Sequence, residues 1–345
     1  MSQRPKPVVL GHPRGVRPPQ IAVVVRRSSP TLCEDVQRVV GHLVPELRGA
    51  EDVRVEPFGR GWTNNVLRVV SEERRVAVVV RFFGAFTEYL VDRDQEQAVL
   101  RANGTRVFGA FLNGCVISYT PGRTLTPEDV ARQPVRRMMA KAVAAFHRLR
   151  PAVRKRPQFF RLCNQLLNNY PPFSVGDKDG GHVLPAREVL QNEVRFLEKT
   201  LARVRGPVVL CHNDLTLKNF VLDEAGRTVR LIDVEYAGWN FQASDLAGLF
   251  CEWCGEEMDW SRFPDRTERY EFVKLYLEHY TRDSLFVRDI NALCAQVDQF
   301  QLLVNLWWAI WGFVNTAISE EPTSFYNYAH RRLDRYNELK KQIDF

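Results

Sequence analysis

Residues 300–318 read FQLLVNLWWAIWGFVNTAI, an apolar run long enough to cross a membrane as a helix. Any fold must remove this run from water, either in lipid or in a packed core. Polar side chains interrupt the run at Gln301, Asn305 and Asn315. Large apolar side chains recur at helical spacing, at Phe300, Val304, Trp308, Trp311 and Val314. A buried helix in a soluble core explains both features, so the run predicts a protein that is not membrane-embedded.

Charge is distributed unevenly along the 345 residues, whose formal net charge is +7. Residues 1–33 contain Arg4, Lys6, Arg14, Arg17, Arg26 and Arg27 and no acidic side chain. The rest of the chain is therefore close to neutral, and its composition does not demand a basic face. We predict no nucleic-acid partner, and we interpret the proline- and arginine-rich residues 1–20 as a mobile tail.

Cysteine usage favours a reducing compartment. The chain has seven cysteines, an odd number, and its start lacks the apolar core of a signal peptide. An arginine-rich, acid-free start also occurs in organelle presequences, but serines are few and no amphipathic stripe is visible. Cys251-Glu-Trp-Cys254 lacks the second pair of a zinc ribbon and the context of a redox motif. We expect free thiols and a cytoplasmic protein.

The pattern of apolar residues changes along the chain. Residues 21–120 predict an antiparallel sheet with one internal helix at 92–104, following a first helix at 31–47. The expected strands are 21–25, 53–58, 65–70, 75–83 and a hairpin over 106–120 that turns at Asn113-Gly114.

The pattern from residue 121 to residue 345 is mostly helical. Thr126 is a good N-cap for a helix that starts at Pro127, and residues 135–149 carry an apolar stripe. Residues 206–236 interrupt the helices. The chain therefore predicts an α+β fold with a hinge near 117–125, a sheet-rich lobe over 21–120 and a larger helical lobe over 121–345.

The interruption contains LCHNDLTLKNF, residues 210–220, in which polar side chains stand in an apolar frame. A strand at 208–210 leads into a loop with Asp214, Asn219 follows five residues later, and a hairpin over 220–233 ends on Asp233. Phosphoryl transfer requires these groups, since one carboxylate accepts a proton while an amide and a second carboxylate bind magnesium. A lone His-x-Asp is usually a loop with a capping aspartate, but the spacing to Asn219 and Asp233 favours a kinase-type site.

HND-x-x-x-x-N followed by LIDVEY resembles the protein-kinase-like families that phosphorylate small molecules, above all the choline/ethanolamine kinases. Further similar pieces occur in order along nearly all of the chain after residue 50. They are GRGWTNNVLRV, VVVRFFG, LVDRDQE, FLNGCVISYTPGRTL, AAFHRL, VVLCHNDLTLKN, LIDVEYAGWNFQASD, CEW and WWAIW…FYNYA. The resemblance implies a protein-kinase-like two-lobed fold and an enzyme that uses ATP and Mg²⁺.

The resemblance also implies roles for individual residues. Asp214 is the candidate general base for the substrate hydroxyl, and Asn219 and Asp233 are the candidate magnesium ligands. His212 is expected to support the loop by hydrogen bonding.

Nucleotide contacts are implied in the sheet-rich lobe. Arg81 stands where the family uses a cation on the nucleotide phosphates, and Glu96 would orient it; the alternative is a solvated surface ion pair. The phosphate-covering turn is matched by Gly61, Thr63 and Asn64, although a full G-x-G-x-x-G is absent.

The implied substrate is a short alcohol with a cationic nitrogen, which needs acidic or aromatic surroundings. The candidates are Glu235, Tyr236, Glu252, Trp308, Trp311 and Tyr328. Tryptophans at helical spacing are more often core residues, and that alternative stays open for each ring.

HNDLTLKN, YAGWNFQA, LVDRDQE and FPDR are similar to the ethanolamine branch, whereas the choline branch usually has glutamine at the position of Thr216. CEW is nearer the choline branch, and Ser244 and the residues after Asp245 depart from the family pattern. We therefore expect an ethanolamine kinase, with choline or both alcohols as the alternative. An aminoglycoside-type phosphotransferase, a non-catalytic relative and a homodimer also remain open.

Overall fold

The structure is a computed structural model, and it describes most of the chain from residue 19 to residue 342. The described ranges are 19–25, 29–60, 65–84, 87, 90–168, 170, 174–175, 182–204, 206–255, 257–281, 284, 286–319 and 322–342. The chain divides into two compact units. The first comprises Met1–Glu88 and Asp92–Pro121, and the second comprises Tyr89–Val91 and Gly122–Phe345.

The first unit contains a six-stranded sheet in the order β1-β5-β6-β4-β3-β2. All neighbouring strands are antiparallel except β1 and β5, which run parallel. The core lies on one face of the sheet, where apolar residues of the first helix pack on alternate residues of β4. The elements are β1 (Gln20–Ile21), α1 (Leu32–Leu43), β2 (Arg54–Arg60), β3 (Asn65–Ser71), β4 (Val76–Phe82), α2 (Arg93–Ala102), β5 (Val107–Phe111) and β6 (Gly114–Ser118).

The prediction of a strand over 21–25 is wrong beyond Ile21. At Val25 an asparagine side chain takes the place of a neighbouring strand, since Asn113 accepts a hydrogen bond from the Val25 amide and donates one to the Val25 carbonyl, while the Val23 carbonyl still accepts from the Leu112 amide. The helix predicted over 31–47 also stops early, at Leu43. Pro45 lacks an amide hydrogen and disfavours helical geometry in the residue before it, so a separate 3-10 turn follows.

The second unit contains the predicted helices and the interrupting strands. Its helices are α3 (Pro127–Ala131), α4 (Gln133–His147), α5 (Phe159–Asn168), α6 (Arg187–Leu201), α7 (Gln242–Glu252), α8 (Arg266–Tyr280), α9 (Val287–Ile318) and α10 (Pro322–Lys340). Its strands are β7 (Arg123–Thr124), β8 (Ser174–Val175), β9 (His182–Val183), β10 (Val208–Cys211), β11 (Phe220–Asp223), β12 (Thr228–Leu231) and β13 (Gly238–Phe241). The predicted hairpin is confirmed as β11–β12, and the predicted cap at Thr126 forms a capping box with Asp129.

The apolar run that opened the sequence forms most of α9, and the prediction of a buried helix is confirmed. Most side chains from Phe300 to Phe313 are buried. α10 packs closely along α9 at Gly312, where an added Cβ would lie 2.9 Å from the Cβ of Ala329. Among the described residues, no helix combines the length and apolarity that crossing a bilayer requires.

Candidate functional site

Strand β10 delivers the chain into the loop that contains Asp214. The side-chain amide of Asn219 donates hydrogen bonds to the backbone carbonyl of Asp214 at 2.8 Å and to its Oδ2 at 3.0 Å. These two bonds orient the Asn219 amide, because both donors point at Asp214 and the Oδ1 of Asn219 must point away. The spacing of five residues thus places the carboxylate and the amide side by side.

The β11–β12 hairpin brings Asp233 to the same end of the structure. The amide of Ile232 donates to the carbonyl of Asn219 at 2.9 Å, one step beyond the last residue pair of the hairpin. Asp233 follows with a φ of 57°, in the left-handed region that few residues other than glycine adopt. His212 donates from Nε2 to the Ile232 carbonyl at 2.8 Å, which confirms the supporting role expected for this side chain.

Electrostatics show that several carboxylates surround Asp214. Burial raises the pKa of Asp214 well above its usual range, and the charge of Asp233 raises this pKa further. Glu252 and Glu235 act in the same direction, while the hydrogen bond from Asn219 lowers the pKa. Asp214, the predicted base, is therefore close enough to interact with Asp233, the predicted magnesium ligand, and with Glu235 and Glu252, which were predicted to contact the amine. Such a cluster attracts cations.

Asp245, in the first turn of α7, holds the loop in place, and the sequence argument gave it no role. Its Oδ2 accepts the backbone amide of His212 and its Oδ1 accepts the amide of Asn213, both at 2.7 Å. His147 also donates from Nε2 to Oδ2 at 2.8 Å. The signal was present in the sequence, since a carboxylate in the apolar run QASDLAGLF must find partners when it is buried.

A second buried network involves Asn213 and Asn240. Asn213 has a φ of 66° and donates to the Tyr236 carbonyl at 2.7 Å. Asn240 donates to the Asn213 Oδ1 at 2.8 Å and accepts the backbone amides of Gln158 and Phe159. Asn213, the residue before the candidate base, is thereby held by Asn240, which also binds the start of α5. Its backbone amide is held by Asp245 of α7.

The predicted aromatic residues lie together. Trp308 stands edge-on to Tyr236 and to Trp311, with ring centroids 5.9 and 5.3 Å apart. Trp311 donates from Nε1 to the Tyr236 hydroxyl at 3.1 Å and contacts the ring of Tyr328 at 6.1 Å. Burial raises the pKa of both Tyr236 and Tyr328, and the charge of Asp214 raises both further, so this ring cluster adjoins the acidic group. The rings are largely buried and also lie beside the carboxylates.

In the first unit, Arg81 on β4 donates to Glu96 Oε1 on α2 at 2.5 Å. Their side chains are only 5% and 3% exposed, which excludes the alternative of a solvated surface pair. Arg93 binds the second oxygen, Oε2, at 2.7 Å, and its guanidinium also stacks on Phe83. Sequence reasoning missed Arg93. The predicted turn residues Gly61, Thr63 and Asn64 lie outside the described residues.

Two other clusters invite a metal or redox interpretation. His147, Cys211 and Asp245 place one ligand atom each within 4.8 Å, but hydrogen bonds within the protein account for all three side chains. Cys251 and Cys254 are buried, and burial raises their pKa to about 11 and about 12. Thiols that stay protonated are poor nucleophiles, which argues against a redox role for the CxxC pair.

Comparison with known proteins assigns the family. The family model described as choline/ethanolamine kinase matches residues 55–337. The chain belongs to the choline/ethanolamine kinase family. Ethanolamine kinase 2 of Rattus norvegicus is 33% identical over 321 residues, which cover 89% of this chain and 81% of that protein.

Solved structures of family members have the same fold. An ethanolamine kinase of Plasmodium vivax superposes with a TM-score of 0.80 at 20% identity, covering 92% of this chain and 91% of that one. LicA, a choline kinase of Streptococcus pneumoniae solved in complex with AMP, gives 0.61 at 21% identity, covering 89% and 100%. The predicted α+β, protein-kinase-like fold is confirmed, and the family makes the chain a phosphotransferase.

Proposed function

We propose that this enzyme transfers the γ-phosphoryl group of ATP to the hydroxyl group of ethanolamine, giving phosphoethanolamine and ADP. One observation carries the proposal. The loop and the hairpin bring a carboxylate, Asp214, beside an amide, Asn219, and within electrostatic reach of a second carboxylate, Asp233. Relatives named ethanolamine kinase, from mammals and from Arabidopsis thaliana, support the choice of substrate.

Asp214 is proposed as the proton acceptor. As the substrate oxygen bonds to the γ-phosphorus, the bond from that phosphorus to the β–γ bridging oxygen breaks, and ADP leaves. The proton of the hydroxyl passes to an Asp214 carboxylate oxygen. The hydrogen bonds from Asn219 and the hold of Asp245 on the loop backbone keep that oxygen in one orientation.

Asn219 and Asp233 are proposed to hold Mg²⁺. The donor set fits, since the Asn219 Nδ2 donates to Asp214, and Asp233 directly follows Ile232, whose amide binds the Asn219 carbonyl. Amide and carboxylate oxygens are the hard ligands that Mg²⁺ prefers. When bound with the nucleotide, the ion neutralises charge on the phosphate oxygens.

The nucleotide phosphates are proposed to meet Arg81. Glu96 holds this guanidinium from one side, and Arg93 holds Glu96 from the other. The three side chains together carry a net charge of +1, a sign that suits the negative charge of a phosphate. Because all three orientations are fixed by hydrogen bonds, little side-chain entropy is lost when the phosphate binds.

The ammonium end of the substrate is proposed to lie among Glu235, Glu252 and the ring cluster. Carboxylate oxygens accept hydrogen bonds from a primary ammonium, and ring faces attract any cation. Because ring faces also suit a trimethylammonium group, choline is the second candidate substrate.

The test is a coupled assay of ADP release by the full-length protein with ATP and Mg²⁺, with ethanolamine, choline and an aminoglycoside compared by kcat/KM. We expect ethanolamine to be preferred and Asp214→Ala to lose at least about 10³-fold in kcat, as for other deleted catalytic groups. Asp334→Ala, which removes an exposed carboxylate from α10, is the matched control and should stay active. Turnover retained by Asp214→Ala, or no turnover of any alcohol by the unmodified protein, would refute the proposal.

A further inference from the structure

One arginine of α10, Arg332, lies deep in the second unit. Its residue is 1% exposed, and it donates from Nη2 to the Glu252 Oε1 in a short ion pair. Its Nη1 reaches the Asn305 Oδ1 at 3.4 Å, and its guanidinium carbon lies 5.2 Å from the ring centroid of Tyr328. Two of these partners, Glu252 and Tyr328, are candidate contacts of the substrate ammonium.

A guanidinium in this position is expensive to bury, and an apolar side chain of similar volume would often serve stability as well. The neighbouring carboxylates explain the role of the buried positive charge of Arg332. Glu252 contributes to the acidic group around Asp214, together with Asp233 and Glu235. Arg332 pairs with Glu252, so it partly neutralises the cluster from the protein side.

The ion pair with Arg332 also fixes the orientation of the Glu252 carboxylate. Within the described part of the chain, the Glu252 carboxylate makes its side-chain hydrogen bond through Oε1, so Oε2 is left to accept from a ligand. Arg332 also covers one face of Tyr328, and a ring face that is occupied by a guanidinium is not available to a second cation. The proposed binding site for the ammonium group therefore keeps an oriented acceptor oxygen on Glu252. It loses one ring face, that of Tyr328, as a contact for a cation.

We propose that Arg332 is a positioning residue that sets substrate choice, favouring a primary ammonium over a trimethylammonium. A primary ammonium donates hydrogen bonds and gains from an oriented carboxylate oxygen. A trimethylammonium has no N–H group and depends on ring faces, and Arg332 already covers one face of Tyr328. This inference rests on the proposed function, and it assigns the preference to a side chain that need not touch the substrate.

The experiment is steady-state kinetics of Arg332→Met with ethanolamine, choline and ATP as the varied substrates. Loss of one oriented, charge-assisted hydrogen bond predicts a rise of about tenfold in KM for ethanolamine, with kcat within about threefold. The KM values for choline and for ATP should change by less than about threefold, so the preference for ethanolamine over choline falls about threefold or more.

Arg335→Met is the matched control, because Arg335 lies on the same helix and stacks on Trp260, as Arg332 does. It should leave the substrate preference unchanged. If Arg332→Met does not fold, Arg332→Lys keeps the buried cation but loses the planar fork, and a fall in the ethanolamine preference is expected of it as well.

The results that would refute the role of Arg332 differ from those that would refute the proposed function. If the unmodified protein phosphorylates ethanolamine and the Arg332 variants lose activity equally on both alcohols, the pair is merely structural and this inference is overturned. If the unmodified protein phosphorylates neither alcohol, the proposed function itself is wrong and this inference falls with it.

Discussion

Asp245→Asn is the substitution that most directly tests how the loop that contains Asp214 is held. The two side chains have almost the same shape, so packing is preserved. The carboxylate accepts three hydrogen bonds, from the backbone amides of His212 and Asn213 and from the ring of His147. An asparagine has one acceptor oxygen, so its NH₂ group must face at least one backbone N–H and leave that donor unpaired.

The cost follows from these contacts. A hydrogen bond to a charged acceptor contributes about 1.5–3 kcal/mol, and an unpaired buried N–H costs about 1–3 kcal/mol. Asp245 is only 2% exposed, so water cannot replace the lost acceptor. We expect Asp245→Asn to lower the free energy of unfolding by about 3–5 kcal/mol. The orientation of Asp214 should also be lost, with a fall of about 10²-fold or more in kcat.

Urea denaturation followed by tryptophan fluorescence measures the first quantity, and the ADP-release assay measures the second. Asp298→Asn is the control, since this partly exposed carboxylate lies on α9 and accepts from Gln301 and Arg269 rather than from the loop. If Asp245→Asn unfolds at the urea concentration of the unmodified protein and keeps its kcat, the loop is held by other contacts and the reasoning is wrong.

Two further predictions concern the first unit and the packing of α9. Glu96→Gln removes the carboxylate shared by two arginines and should raise KM for ATP about tenfold or more, while KM for ethanolamine stays within about twofold; equal changes in both values would argue against a nucleotide role. Gly312→Ala forces a Cβ against Ala329 of α10 and should destabilise the protein by about 1–3 kcal/mol. Gly248→Ala, whose added Cβ meets ordinary contact at 4.0 Å, is its control and should be neutral or stabilising by up to about 1 kcal/mol in thermal denaturation.

Local sequence pattern was sufficient for several elements because the physics that forms them is local. The β11–β12 hairpin, the capping box at Thr126 and the alternation along β4 all depend on residues within a few positions of each other. Where a distant side chain intervenes, the pattern misled. At Val25 the side chain of Asn113 makes the two hydrogen bonds that a neighbouring strand would make, and no spacing in the chain indicates that contact.

The candidate site divides in the same way. The series Asp214, Asn219 and Asp233 was predictable, because one loop and one hairpin place these residues together and their chemistry is distinctive. The partners that hold the site come from far along the chain. Arg332 pairs with Glu252 across 80 residues, and His147 binds Asp245 across 98.

The sequence by itself determined which candidate groups for phosphoryl transfer the protein has and which short segments present them. Only the tertiary structure decided which carboxylates are paired, which ring faces are covered and which backbone amides are held. The physical reason is that a buried charge or amide must find a partner wherever the packed chain brings one, and that choice is made in three dimensions.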